Sequence, residues 1–189
     1  MHRAVGQEGG GPLLLAGFTL IELMVTLAVL AVLVTLAAPS FQEMTNRSNV
    51  VSGTNEVVAL LQDARMESVR RNARVEVCAS ANGTTCSGSN DWQRVIVRSA
   101  AGAIYRDIAL NPRLTARGSG SAGTKIIFRP DGLARVGSAP ETVLTGIIEI
   151  CINAQRPVQN ARHVAISGAR ISTNAPVTSS GCAAQVPNT

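Results

Sequence analysis

The sequence predicts an α+β protein: one long N-terminal helix, membrane-spanning in its first half and amphipathic in its second, packed on an antiparallel β-sheet head. Three observations lead there. Phe18 to Ala38 is an unbroken apolar run with a single charge, Glu22. Beyond it Val50, Val57, Leu61 and Ala64 recur at helical spacing, and Val51 and Val58 widen the stripe. From Arg74 onward the chain breaks into short alternating segments divided by Gly, Pro, Asn and Ser, the chemistry of strands and turns.

A helix over Phe18 to Ala38 covers roughly 31 Å at about 1.5 Å per residue, close to a bilayer core of about 30 Å. A buried helix of a soluble protein fits poorly, because no polar face occurs at any helical period. Glu22 then needs a partner, since a carboxylate in a lipid-facing helix costs about 2.5 to 3.5 kcal/mol on insertion scales. It could snorkel to the headgroups from its place near the start of the run. Alternatively, a cut between Gly17 and Phe18 would place a new ammonium on Phe18 beside Glu22 on one helix face. In a stack of subunits, that ammonium could pair with the next subunit's carboxylate. Pro39 follows the apolar run; without an N–H it cannot bond the Thr35 carbonyl, so a bend is expected there. Gly53 adds a second soft point to a helix expected from about Thr19 to Arg71, with Glu67 and Arg71 paired on its surface.

The head reads as strands over Arg74 to Ala79, Trp92 to Arg98, Ala103 to Ile108, Lys125 to Phe128, Ala134 to Val136, Ile147 to Ile152 and His163 to Ser167, with Arg170 to Ser172 extending or following the last. In the first, Val75 and Val77 face one way and Arg74 and Glu76 the other. Ser99 to Gly102 is short enough for a hairpin. Arg129-Pro130-Asp131-Gly132 is a turn in which proline presets one φ and glycine takes a positive one. Arg117 to Gly123 offers no side chain to pack and is expected to be a loop. Trp92, Phe128 and Tyr105 are expected in core or edge packing rather than as ligand platforms.

Charge and cysteines bound the function. The net charge is +5, and every basic side chain but Lys125 is arginine or histidine. Ile150 to Thr189 contains no Asp or Glu but carries Arg156, Arg162, His163 and Arg170, so a positive surface suited to phosphate is expected there. No aromatic residue accompanies them, which favours contacts to a duplex backbone over base stacking; a solvated, charged β-edge is the plainer alternative. Cys78, Cys86, Cys151 and Cys182 do not have zinc spacing, and with His2 and His163 as the only histidines no metal is expected. Three disulfide pairings are open, of which the local ones, Cys78 to Cys86 and Cys151 to Cys182, are expected. No nucleophile elbow, phosphate-binding glycine loop or metal-spaced cluster is present, so neither an enzyme nor a cofactor is expected.

Gly17-Phe18-Thr19-Leu20-Ile21-Glu22-Leu23 resembles the processing and assembly motif of type IV pilins and the pseudopilins of type II secretion. The resemblance implies residues 1–17 as a leader, cleavage after Gly17 by a prepilin peptidase, methylation of Phe18 and Glu22 as the assembly carboxylate. Pro39 stands where these proteins carry a helix-bending proline. The implied layout is an anchor over 18–38 in the bacterial inner membrane, a periplasmic amphipathic helix over 39–73 and a head over 74–189. Partners would be other pilins or pseudopilins, met through the helix.

The head is similar to the GspH/FimT branch of minor pilins and pseudopilins. The likeness lies in the strand led by Trp92, the Phe128-x-Pro130-x-Gly132 turn, Ile150-Cys151, and an arginine-bearing segment closed by Cys182. Some FimT-like minor pilins bind DNA during natural transformation through a C-terminal Gly-Arg-x-Arg motif. This chain has Gly168-Ala169-Arg170-Ile171-Ser172, with an alanine inserted and no second arginine, so Arg170 alone carries over and Arg162 and Arg156 are its neighbours in sequence. The implied function is a minor type IV pilin, with duplex DNA as a partner. The alternatives are a minor pseudopilin of type II secretion and a membrane-anchored periplasmic structural protein.

Overall fold

The computed structural model describes residues 18–118, 122–137 and 141–182. Residues 1–17, Gly17 among them, lie outside the described residues, as do 119–121 of the expected glycine-serine loop. The chain divides into two units, Met1–Ser40 and Phe41–Thr189, and helix α1 (Leu20–Arg70) runs through the division. Pro39 sits inside α1.

In the first unit, Thr19 caps the helix: its hydroxyl accepts from Glu22 N–H at 3.2 Å and its carbonyl from Leu23 N–H at 3.2 Å. Thr26 and Thr35 donate their hydroxyls one turn back, to Leu23 O at 2.9 Å and Val32 O at 2.7 Å. The hydroxyls of Thr26 and Thr35, inside the apolar run, are therefore bonded within the helix itself. The helix is long and apolar enough to cross a membrane.

The second unit opens on the amphipathic half of α1. Its buried stripe is Val50, Gly53, Thr54, Val57, Leu60, Leu61, Ala64 and Ser68, wider than the expected stripe, with Val51 and Val58 only half-buried. The polar members are satisfied: Thr54 donates to Val50 O, and Ser68 to the carbonyls of Arg65 and Arg129. Gly53 is a packing position rather than a soft point. A Cβ there would stand 2.5 Å from Leu114 Cδ1, so the missing side chain is what admits the leucine. After Arg70 the chain turns through Asn72, whose positive φ asparagine tolerates, and Ala73 N–H returns to Ser68 O at 3.1 Å.

The strands are β1 (Val75–Ala79), β2 (Arg94–Ser99), β3 (Ile104–Ala109), β4 (Leu114–Gly118), β5 (Lys125–Phe128), β6 (Ala134–Val136), β7 (Thr142–Val143), β8 (Thr145–Ile152), β9 (Ala161–Ser167) and β10 (Arg170–Thr173). They form two antiparallel sheets, where the sequence suggested one apolar face. One has the order β3-β2-β1-β5-β6-β7 and the other β10-β9-β8-β4. Both contribute to a single core around Val57, Leu61, Trp92, Phe128, Ile148, Ile150 and Val164.

Two local expectations are corrected. In β1 the alternation holds, with Val75 and Val77 in the core, but the far face is buried too: Glu76 is covered by Arg98 and Lys125, and Cys78 by its disulfide. Arg117 and Gly118, expected in a loop, end β4. Trp92 Nε1 donates to Gly123 O at 2.7 Å, and a Cβ on Gly118 would collide with that same indole nitrogen. Ala122 is wholly buried. Gly118 and Gly123 carry no side chain where the tryptophan indole lies against the backbone.

Candidate functional site

The N-terminal motif is placed from Phe18 onward. Phe18 is exposed just before the helix, and Glu22 lies in its first turn, where a carboxylate also suits the positive end of the helix dipole.

The cations of the second unit divide by sheet. On the strands of the six-stranded sheet each is paired, Arg98 and Lys125 with Glu76, Arg94 with Asp107, Arg106 with Asp63 and Arg135 with Asp131, and Arg74 and Arg129 beside it pair with Glu141. Burial pushes the Glu76 carboxyl up, but hydrogen bonds from Arg98 and Lys125 outweigh it and hold the group below the ordinary carboxylate range. The Arg94 fork holds Asp107 low in the same way, and the Leu133 N–H followed by Arg135 holds Asp131 low. Tyr105, on the edge strand β3, is half-buried with the Arg71 guanidinium over its ring face, 4.3 Å from the ring centre.

Arg47, Arg113, Arg156 and Arg162 behave differently. Among the described residues none of the four has a carboxylate oxygen within 4.0 Å. Nor does Arg170, which is exposed at the start of β10. The structure does not gather Arg156, Arg162 and Arg170 into one patch. The Arg156 carbonyl accepts from Asn46 Nδ2 at 2.8 Å, and Arg162 lines a cleft with Glu43 and Arg47. Arg170 instead follows Ala169, whose carbonyl accepts from Arg65 Nη1 at 2.6 Å. Asn46 and Arg65 are roughly 28 Å apart along α1 at about 1.5 Å per residue. Sequence reasoning had no means to see Arg65 as the neighbour of Arg170; nothing but the fold brings that turn of helix to the β9–β10 hairpin.

His163, expected to add to the positive surface, is turned to Glu149 instead. Its Nε2 lies 3.1 Å from Glu149 Oε2, and Ser179 Oγ donates to Glu149 Oε1 at 2.9 Å. Asn160 completes the clasp, donating to Ile152 O and Ser179 O while accepting from Ser179 N–H. The segment after β10 thus covers the outer face of β8, where Cys151 and Cys182 are bonded to each other. Cys78 and Cys86 form the second bond, closing the loop after β1. The serine, histidine and glutamate are not a nucleophilic relay, because the hydroxyl donates to the carboxylate and not to the imidazole.

Comparison with known proteins agrees with the fold and with the N-terminal motif. The family model described as type II transport protein GspH matches residues 53–170, and that of the prokaryotic N-terminal methylation motif matches residues 16–38. Two curated fimbrial proteins of Pseudomonas aeruginosa are each 46% identical over 44 residues, 23% of this chain and 29% of theirs. The match therefore spans under a third of those relatives. The type IV minor pilin FimU of Pseudomonas aeruginosa is similar in two crystal forms. One has a TM-score of 0.55 at 24% identity, covering 74% of this chain and 98% of the crystallised one. The other has a TM-score of 0.51 at 25% identity, covering 69% and 98%.

Proposed function

Because the chain belongs to the GspH family, with a pilin-type N-terminal methylation motif ahead of the head, we propose that it is a minor type IV pilin that primes or decorates a pilus. What supports this most is the union in one helix of that motif and a pilin head. On this reading a prepilin peptidase cuts after Gly17 and methylates Phe18. Pro39 bends the shaft, the anchor holds the head on the periplasmic side of the inner membrane, and Glu22 takes the Phe18 ammonium of a neighbouring subunit. The pairing is favoured by desolvation, since an unpartnered carboxylate in an apolar bundle is costly.

The intact mass of the purified native chain tests it. Loss of residues 1–17 with one added methyl is expected; an unprocessed, unmethylated chain that never enters a filament overturns it. Glu22→Ala leaves insertion intact and lowers incorporation, and normal incorporation would contradict the pairing.

A FimT-like DNA-binding role rests on Arg170. The support is its exposure and the adjacent Arg65, which give a pair of guanidiniums at one hairpin. Titration of the chain with duplex DNA should show log affinity falling linearly with log salt, and Arg170→Ala should weaken all sequences alike and reduce that slope by about one. Absence of binding at low salt would leave a purely structural pilus role, or the pseudopilin role to which the family's description as a type II transport protein points.

A further inference from the structure

We propose that the part of the second unit around helix residues 41–50 docks on an anionic phospholipid surface. In this arrangement Arg47, Arg113, Arg156 and Arg162 contact headgroup phosphates, while Phe41, Met44 and Val158 enter the headgroup layer. The four arginines come from separate places in the chain and converge on one stretch of α1. Arg47 is on it; Arg162 lines a cleft with Arg47, Val51 and Val158; the Arg156 backbone is bonded to Asn46; Arg113 lines the hollow that holds Phe41 and Asn46. The nearby acid, half-buried Glu43, forms no ion pair among the described residues, so this end carries an excess of positive charge, whereas the cations on the strands of the six-stranded sheet are paired with carboxylates.

Apolar exposure peaks at the same place. Phe41 is 71% exposed, and Met44 and Val158 73% each, against 38% to 60% for Ile104, Val143, Val69 and Met66 elsewhere in the unit. Cationic heads interleaved with exposed apolar side chains match a lipid interface, where phosphate meets the guanidinium and the acyl boundary meets the phenyl and thioether. A nucleic acid backbone would satisfy the charges and leave the three apolar side chains in water. Chain connectivity settles the distance: Phe41 lies three residues beyond Ala38, so the site is tethered to the bilayer wherever the apolar segment spans it. The proposal rests on that anchoring.

The test uses the full chain in lipid nanodiscs, of phosphatidylcholine alone or mixed with phosphatidylglycerol, with arginine modification by phenylglyoxal read by peptide mass spectrometry. In anionic discs Arg47, Arg113, Arg156 and Arg162 should react more slowly by about five-fold each, with added salt restoring the rate. Arg65 and Arg170 should react equally in both discs. The variant Arg113→Glu with Arg156→Glu should melt like the parent in zwitterionic discs and lose the protection of Arg47 and Arg162 in anionic ones. Equal rates in the two discs overturn the proposal. So does protection by duplex DNA in zwitterionic discs without protection by phosphatidylglycerol, which would assign the surface to nucleic acid. A chain that fails to co-purify with discs overturns the anchoring itself, before any modification is measured.

Discussion

Replacing Gly53 by alanine separates two accounts of that glycine. If it serves as a flexible point in α1, alanine should stabilise the fold by about 1 kcal/mol through helix propensity. The packing says otherwise. The new Cβ would lie 2.5 Å from Leu114 Cδ1 and 3.5 Å from Ile150 Cγ2, where carbon atoms prefer about 3.5 to 4.0 Å. Leu114 is 3% exposed and Ile150 not at all, so the methyl must move by about 1 Å inside a filled core, at about 1 to 3 kcal/mol. Gly53→Ala should therefore change stability by roughly 0 to 2 kcal/mol in the unfavourable direction. Leu114→Ala alone should cost about 2 to 5 kcal/mol, but it empties the contested space, so Gly53→Ala added to it should recover about 1 kcal/mol. The assay is denaturation of the detergent-solubilised full chain followed by the fluorescence of Trp92, its one tryptophan and wholly buried. A Gly53→Ala gain of equal size with and without Leu114 gives zero coupling and refutes the packing account.

Glu76→Gln removes a carboxylate whose folded form binds a proton less readily than the unfolded chain does. Its contribution is therefore present above the ordinary carboxylate pKa of about 4.3 and lost as pH falls below it, so the variant should melt lower than the parent at pH 7 and show a shallower loss towards acid. Glu149→Ala leaves the Ser179 hydroxyl and His163 Nε2 without their buried acceptor, and a loss of roughly 1 to 3 kcal/mol is expected in the same assay. Replacing each disulfide by a serine pair should rank them by loop length: about 3.7 kcal/mol for Cys151–Cys182, separation 31, and about 2.5 kcal/mol for Cys78–Cys86, separation 8, in the chain-entropy model. The reverse order would place the effect in the native state instead.

What the sequence made legible was whatever a local pattern enforces. Lys125–Phe128 and Ala134–Val136 fall at the expected residues because a proline and a positive-φ glycine, Gly132 at 73°, fix the turn between them. Its Gly132 N–H closes on Arg129 O at 2.8 Å. β4 was hidden because its second half reads as glycine-rich filler, and the reason for those small residues, the indole of Trp92, is remote in sequence. Gly53 was misread for the same cause: its partner Leu114 belongs to that hidden strand. β7 is two residues long, too short for alternation to register.

The arginines show the limit most clearly. Counting acids in order along the chain, the stretch after Glu149 is positive without interruption, and that suggests one surface. Strand geometry disperses it. Arg170 pairs with Ser167 at one end of the β9–β10 hairpin, while Arg162 sits near the start of β9, roughly 17 Å away at about 3.4 Å per residue. The clasp through Asn160 and Ser179 turns the intervening His163 inward to Glu149. What groups with Arg162 is instead Arg47, more than a hundred residues earlier, on the first turns of helix after the apolar run. A single block of sequence charge thus becomes two separate groups, one beside Asn46 and Arg47 and the other beside Arg65, and one substitution in each, Arg156 and Arg170, is enough to assay them separately.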